Sequence, residues 1–172
     1  IIFLAGETFN ELGGSHYLMI EHGLKQGLPP RLDLTREKAL HQFILAAADG
    51  KKLASCHDLS EGGLAVALAE CCIKSAEGLG AEVKGLESVL KRQKELRTDA
   101  LYFGESQSRV VISVKPEHQK VVRNLAQKQG VALYEIGKVG GDALILGDRV
   151  RLTTREMTSL FENMIPNIME RK

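Results

Sequence analysis

Residues 53–72, LASCHDLSEGGLAVALAECC, constrain the fold of this chain more than any other stretch. Leu53, Ala54, Ser55 and Cys56 form an apolar run that reads as a short strand. A polar turn follows, from His57 through Asp58 and Ser60 to Gly62 and Gly63. A helix that is apolar nearly all round then runs over about 60–75. Strand, turn and helix N-terminus together make a common anion-binding arrangement, because the first N–H groups of a helix lack internal partners and carry partial positive charge. Gly62 and Gly63 would let a ligand come close to the backbone. The same residues support a plainer reading, in which Asp58 and Glu61 form a capping box and the glycines only permit tight packing. Spacing alone leaves both open.

The bulk numbers suit one soluble domain. The chain has 172 residues, 44% hydrophobic and 26% charged, and a net charge of +1. That length buries a core without disulfide or metal staples. A net charge so near zero argues against nucleic acid or an acidic membrane as partner. The longest apolar run, 64–69, is too short to span a bilayer, and no signal peptide opens the chain. Cys56, Cys71 and Cys72 are odd in number and lack a CxxC spacing. They read as free thiols of a reducing cytoplasm rather than a disulfide or zinc framework. The five histidines show no metal-ligand spacing. The abrupt start, Ile1-Ile2-Phe3-Leu4-Ala5, reads as a piece cut from a longer protein.

Strands and helices alternate along the chain. Residues 1–5 read as a buried strand and 15–22 as a short helix, stopped by Gly23. Thr35 is expected to cap a helix reaching Asp49, with Ala39, Leu40, Phe43, Ile44 and Ala47 on its apolar face. Residues 81–84 could be a strand, and the charged stretch after them, LESVLKRQKELRTD, has helical spacing and reads as a solvated surface segment. Residues 109–114, 131–136, 143–146 and 150–152 read as strands, and a helix starts at Pro116. Thr153 and Glu156 form a capping box for a last helix carrying Met157, Leu160, Phe161, Met164, Ile165 and Ile168. The pattern predicts an α/β fold, a mixed β-sheet with packed helices, in which 109–146 is part of a split βαβ unit.

The common nucleotide and nucleophile motifs are missing: there is no Walker-type phosphate loop, no GxGxxG and no GxSxG. Two further clusters are candidates. Gly104-Glu105-Ser106-Gln107-Ser108-Arg109 precedes a strand and offers a carboxylate, a hydroxyl and an amide in succession, suited to a polar ligand. Its alternative is a hydrophilic turn. Glu7, Glu11, Gly13, Gly14, Ser15 and His16 form the other cluster, in which Ser15 could simply cap the helix.

GETFNELGGSHY, CHDLSEGGLAVALAEC and FGESQSRVVISV, in this order and at these separations, resemble the final domain of the phosphoribosylformylglycinamidine synthase family. The ending LFENMIPNIMERK looks like that of the small, glutaminase-free form. The resemblance covers nearly the whole chain. It implies a single C-terminal domain over 1–172, of the aminoimidazole ribonucleotide synthetase-like superfamily, with an α/β sandwich partly similar to a ferredoxin-like fold. In an A, B, A, B order of domains it corresponds to the second B domain.

The resemblance further implies an ATP-dependent ligase of purine biosynthesis. ATP and Mg2+ would be bound mainly outside this piece. Expected partners are the remaining domains of the parent chain, a glutaminase subunit, a small assembly subunit and nucleotide substrates. Glu105, Ser106 and Gln107 would be the duplicated counterpart of a substrate-contacting segment. With His57, Asp58 and Ser60 they would face a groove, supporting domain packing or an auxiliary phosphate, and no residue is assigned as catalytic. Taken out of its parent, the domain should expose an apolar patch. Rival readings are the matching domain of selenophosphate synthetase, thiamine-phosphate kinase or a hydrogenase maturation protein, or a non-enzymatic ferredoxin-like ligand-binding module.

Overall fold

The computed structural model describes residues 1–170. Arg171 and Lys172, the last two residues of the ending compared above, lie outside the described residues. Seven strands form one sheet: β1 (Ile2–Ala5), β2 (Ser55–Asp58), β3 (Ala81–Val83), β4 (Val110–Ser113), β5 (Leu133–Val139), β6 (Ala143–Leu146) and β7 (Val150–Thr153), in the spatial order β2-β4-β1-β5-β3-β6-β7. Seven α-helices accompany them: α1 (His16–His22), α2 (Leu34–Asp49), α3 (Gly63–Ile73), α4 (Leu86–Arg92), α5 (Thr98–Phe103), α6 (Gln119–Lys128) and α7 (Thr154–Glu170).

The mixed sheet with packed helices is as expected, and so is the split βαβ unit. β4 and β5 each pair antiparallel to β1, so they run parallel with β1 inserted between them, and α6 crosses from one to the other. β5 and β6 do not pair across Gly140 and Gly141. β3 lies between them, antiparallel to β5 and parallel to β6.

Alternation along the strands splits the interior into two cores. Ile2, Leu4, Val111, Tyr134 and Ile136 face α3 and the neighbouring helices. Phe3, Ala5, Val110 and Ile112 face α2 and α6, where Leu40, Phe43 and Val122 cover them. The first core spans most of the sheet, whereas the second covers only the part formed by β4, β1 and β5; Glu82 of β3 and Leu152 of β7 are exposed.

Several local expectations are corrected. β2 begins at Ser55 rather than Leu53, because pairing with β4 sets its register, Ser55 opposite Ser113 and Asp58 opposite Val110. His57 and Asp58 are thus strand residues, and the Asp58–Glu61 capping box does not form. α3 starts only at Gly63, with Gly62 as a left-handed N-cap that makes no side-chain cap bond. α2 is capped by Asp33, not Thr35: its Oδ1 accepts from the N–H groups of Thr35 (2.9 Å) and Arg36 (3.2 Å). The charged stretch after β3 forms helix α4, in line with its spacing, but it is not only a solvated surface, since it buries Leu86 and Val89. Helix α5 was not foreseen. The capping box of α7 forms as expected: the N–H of Thr153 donates to Glu156 Oε2 at 2.8 Å, and that of Glu156 to Thr153 Oγ1 at 3.2 Å.

Candidate functional site

The three motif stretches converge at one end of the sheet. Gly6 leaves the end of β1, Asp58 ends β2, and Arg109 immediately precedes β4; these strand ends are neighbours because β1 and β2 both flank β4. The convergence is tertiary, since the stretches lie tens of residues apart in the chain.

Glu105 is the centre of the cluster. Its Oε1 accepts from the backbone N–H of His16 at 3.0 Å and from that of Gly62 at 2.9 Å. His16 Nδ1 lies 3.7 Å from the same oxygen. The N-terminal end of α3, read from the sequence as a possible anion site, thus already faces a carboxylate of the chain itself. A negative side chain there is favoured by the same partial charge that would favour a phosphate.

Ser106 and Arg109 point inward. Ser106 is fully buried, and its Oγ accepts from the N–H of Phe9 at 3.1 Å. Arg109 is 2% exposed. Its Nε donates to the Ser106 carbonyl and one terminal nitrogen to Thr8 Oγ1, both at 3.0 Å, while the other terminal nitrogen donates to the Gly104 carbonyl. Burial pushes this guanidinium down to about 10, and the nearby Glu11 and Glu105 carboxylates oppose that shift. A buried cation holding several carbonyl and hydroxyl acceptors fixes loops in place.

The remaining expected residues divide by exposure. Ser15 caps α1, accepting from the N–H of Leu18 at 3.3 Å and donating to the Leu12 carbonyl at 2.6 Å. Gly13 sits tight: a Cβ there would meet the Leu28 carbonyl at 2.2 Å, whereas one on Gly14 would meet nothing. Glu11 Oε1 accepts from the N–H of Arg31, and its Oε2 is buried without a hydrogen-bond partner. Glu7 pairs with Arg36 at 3.4 Å. Gly63 has a φ of +64°, and a Cβ there would lie 2.5 Å from the Gly104 carbonyl, so it serves close packing between α3 and α5. His57 Nε2 pairs with Glu70 of α3 at 3.0 Å. Asp58, Ser60 and Gln107 are exposed.

Sequence reasoning missed Glu37, and it included Ser108 in the second cluster without giving it a role. Ser108 has a φ of +60°, one of two positive values at non-glycine residues among those described. Its hydroxyl donates to Glu37 of α2, and the other Glu37 oxygen lies 2.8 Å from His41 Nε2. The helical spacing of Glu37 and His41 is visible in the sequence, but their meeting with Ser108 is not. Gln107 and Ser108 together line a cleft of about 390 Å3 against α2.

Comparison with known proteins agrees with the motifs. The family model for AIR synthase related protein, C-terminal domain, matches residues 1–147. Phosphoribosylformylglycinamidine synthase subunit PurL of Moorella thermoacetica is 42% identical over 175 residues, covering 99% of this chain and 23% of that protein. The chain therefore spans about a quarter of such relatives. The solved structure of T. maritima PurL complexed with FGAR superposes with a TM-score of 0.72 at 19% identity, over 91% of this chain and 27% of that one. A thiamine-monophosphate kinase from Stenotrophomonas maltophilia shares the fold more distantly, with a TM-score of 0.55 at 17% identity, over 84% of this chain and 49% of the other. With its strand order, its converging motifs and a match over most of its length, this chain belongs to the AIR synthase related protein, C-terminal domain family.

Proposed function

We propose that this chain is the C-terminal domain of a small-form phosphoribosylformylglycinamidine synthase. In that reading the parent is a cytoplasmic ligase of purine biosynthesis. ATP activates the glycinamide carbonyl oxygen of formylglycinamide ribonucleotide as an iminophosphate, with ADP leaving, and ammonia from a separate glutaminase subunit displaces phosphate at that carbon to give the amidine, the formyl group being retained. A small assembly subunit completes the complex. The parent works mainly by positioning and electrostatics.

The observation that carries the reading is the closure of the motif cluster on itself. Glu105 is spent on two backbone N–H groups, and Ser106 and Arg109 are buried in loop-to-loop bonds. Such a cluster is a scaffold, and it leaves the exposed side chains of Asp58, Ser60 and Gln107 to meet a neighbouring domain or an auxiliary phosphate, Asp58 lying 3.5 Å from His57 Nδ1 and Gln107 donating to the Glu105 carbonyl at 3.3 Å. Among the described residues no three His, Cys, Asp or Glu side chains gather as a metal site requires. In this reading ATP and Mg2+ are held mainly by other parts of the parent, and no chemical step is routed through this domain.

The test is reconstitution. This chain is combined with the preceding portion of its parent, formylglycinamide ribonucleotide, Mg-ATP and ammonium, and ADP release is followed. Turnover is expected only with both pieces present. Turnover by the preceding portion alone would make this domain dispensable, and none from two folded pieces would reject the ligase reading.

A further inference from the structure

Beyond its first turn, α7 has little of the chain to pack on. Met157 is buried, whereas every residue from Ser159 to Glu170 is exposed. Helices shorter than about 12–15 residues are marginal in water without packing. Pro166 lies inside this one and removes a further internal hydrogen bond. An exposed helical segment of this kind is held by covering its apolar face.

That face has the spacing of a short two-helix seam. Phe161, Met164 and Ile168 are separated by three and four residues, and Met157 precedes Phe161 by four. In a heptad, Phe161 and Ile168 then fall at a, and Met157 and Met164 at d. Leu160 at g and Ile165 at e widen the stripe. Leu160, Phe161, Met164, Ile165 and Ile168 are each more than half exposed. The charged residues from Arg155 to Glu170 all fall at b or c, and Pro166 falls at f, on the outward side. A seam without charges meets a copy of itself with no like charges opposed.

We propose that α7 pairs antiparallel with α7 of a second copy of this chain, about a two-fold axis. Met157 joins the core that α3 covers, and Lys74 at the end of α3 has its Nζ 5.8 Å from the Phe161 ring. The apolar side of α7 is thus already taken by α3 up to the level of Phe161. Packed helices lie about 8–10 Å apart, so in a parallel pair each α3 would claim the place of the other copy's first turn. An antiparallel pair avoids this, because each free end runs beside the other only from Phe161 outward.

Reversing one helix sets a positions opposite d positions, so Met164 of each copy faces Ile168 of the other. The same register carries Glu170 of each copy toward Lys74 of the other, where the charges are complementary. Burying the five exposed side chains on both copies removes on the order of 1,000 Å2, the low end for a specific interface, so the dimer is weak and reversible. The inference concerns the 172-residue chain and does not rest on the ligase reading.

The test is sedimentation velocity of the 172-residue chain over a rising concentration series. A reversible monomer–dimer equilibrium is expected. Met164→Lys and Ile168→Glu are each expected to raise the dimer dissociation constant at least tenfold, while Lys128→Glu on α6, as control, leaves it unchanged. Both seam positions are exposed, and circular dichroism with thermal unfolding confirms that each variant is folded. An equimolar mixture of the Met164→Lys and Ile168→Glu chains is expected to recover a heterodimer, because antiparallel pairing sets the new ammonium opposite the new carboxylate. A parallel pair never brings those two positions together. A monomer at every concentration, assemblies that grow beyond a dimer, a dimer that ignores both substitutions, or two monomeric variants that do not recover on mixing would each overturn the proposal.

Discussion

Glu105 Oε1 is shared by two backbone N–H groups distant in sequence, His16 at the start of α1 and Gly62 at the cap of α3. Replacing Glu105 by Ala strands both donors, so Glu105→Ala is expected to lose ~2 kcal/mol. Glu105→Gln keeps an acceptor oxygen of the same reach and is expected to lose less than half of that. Urea unfolding of the two variants beside the native chain checks the order; equal losses would show that the acceptor oxygen is not what matters. At this scale the motif residues were legible but their duties were not. Glu105, Ser106 and Gln107 are consecutive and look equivalent in sequence, yet they face respectively a helix end, the core and solvent. The φ of +60° at Ser108 accompanies that divergence, and it is held by Glu37 from another element.

At the scale of the element, α3 shows how two readings of one stretch are decided. Gly62 and Gly63 both have positive φ, so the chain turns sharply into the helix without a side-chain cap. Gly63→Ala puts a methyl 2.5 Å from the Gly104 carbonyl and 2.8 Å from the Phe103 carbonyl carbon, in a conformation that disfavours a Cβ. The expected cost is at least ~3 kcal/mol, read from thermal or urea unfolding; a change below 1 kcal/mol, roughly the size of a surface substitution, would contradict the packing described. α7 gives the opposite lesson, since its capping box was visible in sequence and forms. The hydrogen bonds from Thr153 hold the Glu156 carboxyl below the usual carboxylate range. A carboxyl with a lowered folded-state pKa contributes stability above its unfolded value, and the contribution disappears as pH falls through the folded value. Amide protection in the first turn of α7, corrected for the intrinsic exchange rate at each pH, should therefore fall below the ordinary glutamate range, and Glu156→Gln should flatten that dependence. Local caps are readable because three residues settle them. The start of β2 was misread by two residues because its partner strand, not its own apolar run, chooses the register.

At the scale of the whole molecule, one sheet divides two cores that unfold together if the domain is a single cooperative unit. Phe43 of α2 is fully buried on one face and Leu144 of β6 on the other. Phe43→Ala is expected to cost ~3–5 kcal/mol and Leu144→Ala ~2–5 kcal/mol, each through the cavity it leaves. Each variant should unfold in one transition that is the same by circular dichroism and by amide exchange on both faces. Separate transitions would show two independent halves.

The sequence by itself determined the α/β class, most elements and the three motifs, because periodicity, caps and glycine positions act over a few residues. It also marked the apolar face of α7, although not that only its first turn would be covered. Tertiary structure alone decided the strand order, with β3 set between β5 and β6, and the meeting of three loops on Glu105 and Arg109. Those outcomes depend on which distant strands exchange hydrogen bonds and on which polar groups must be paired once water is excluded, and neither is a property of any local stretch.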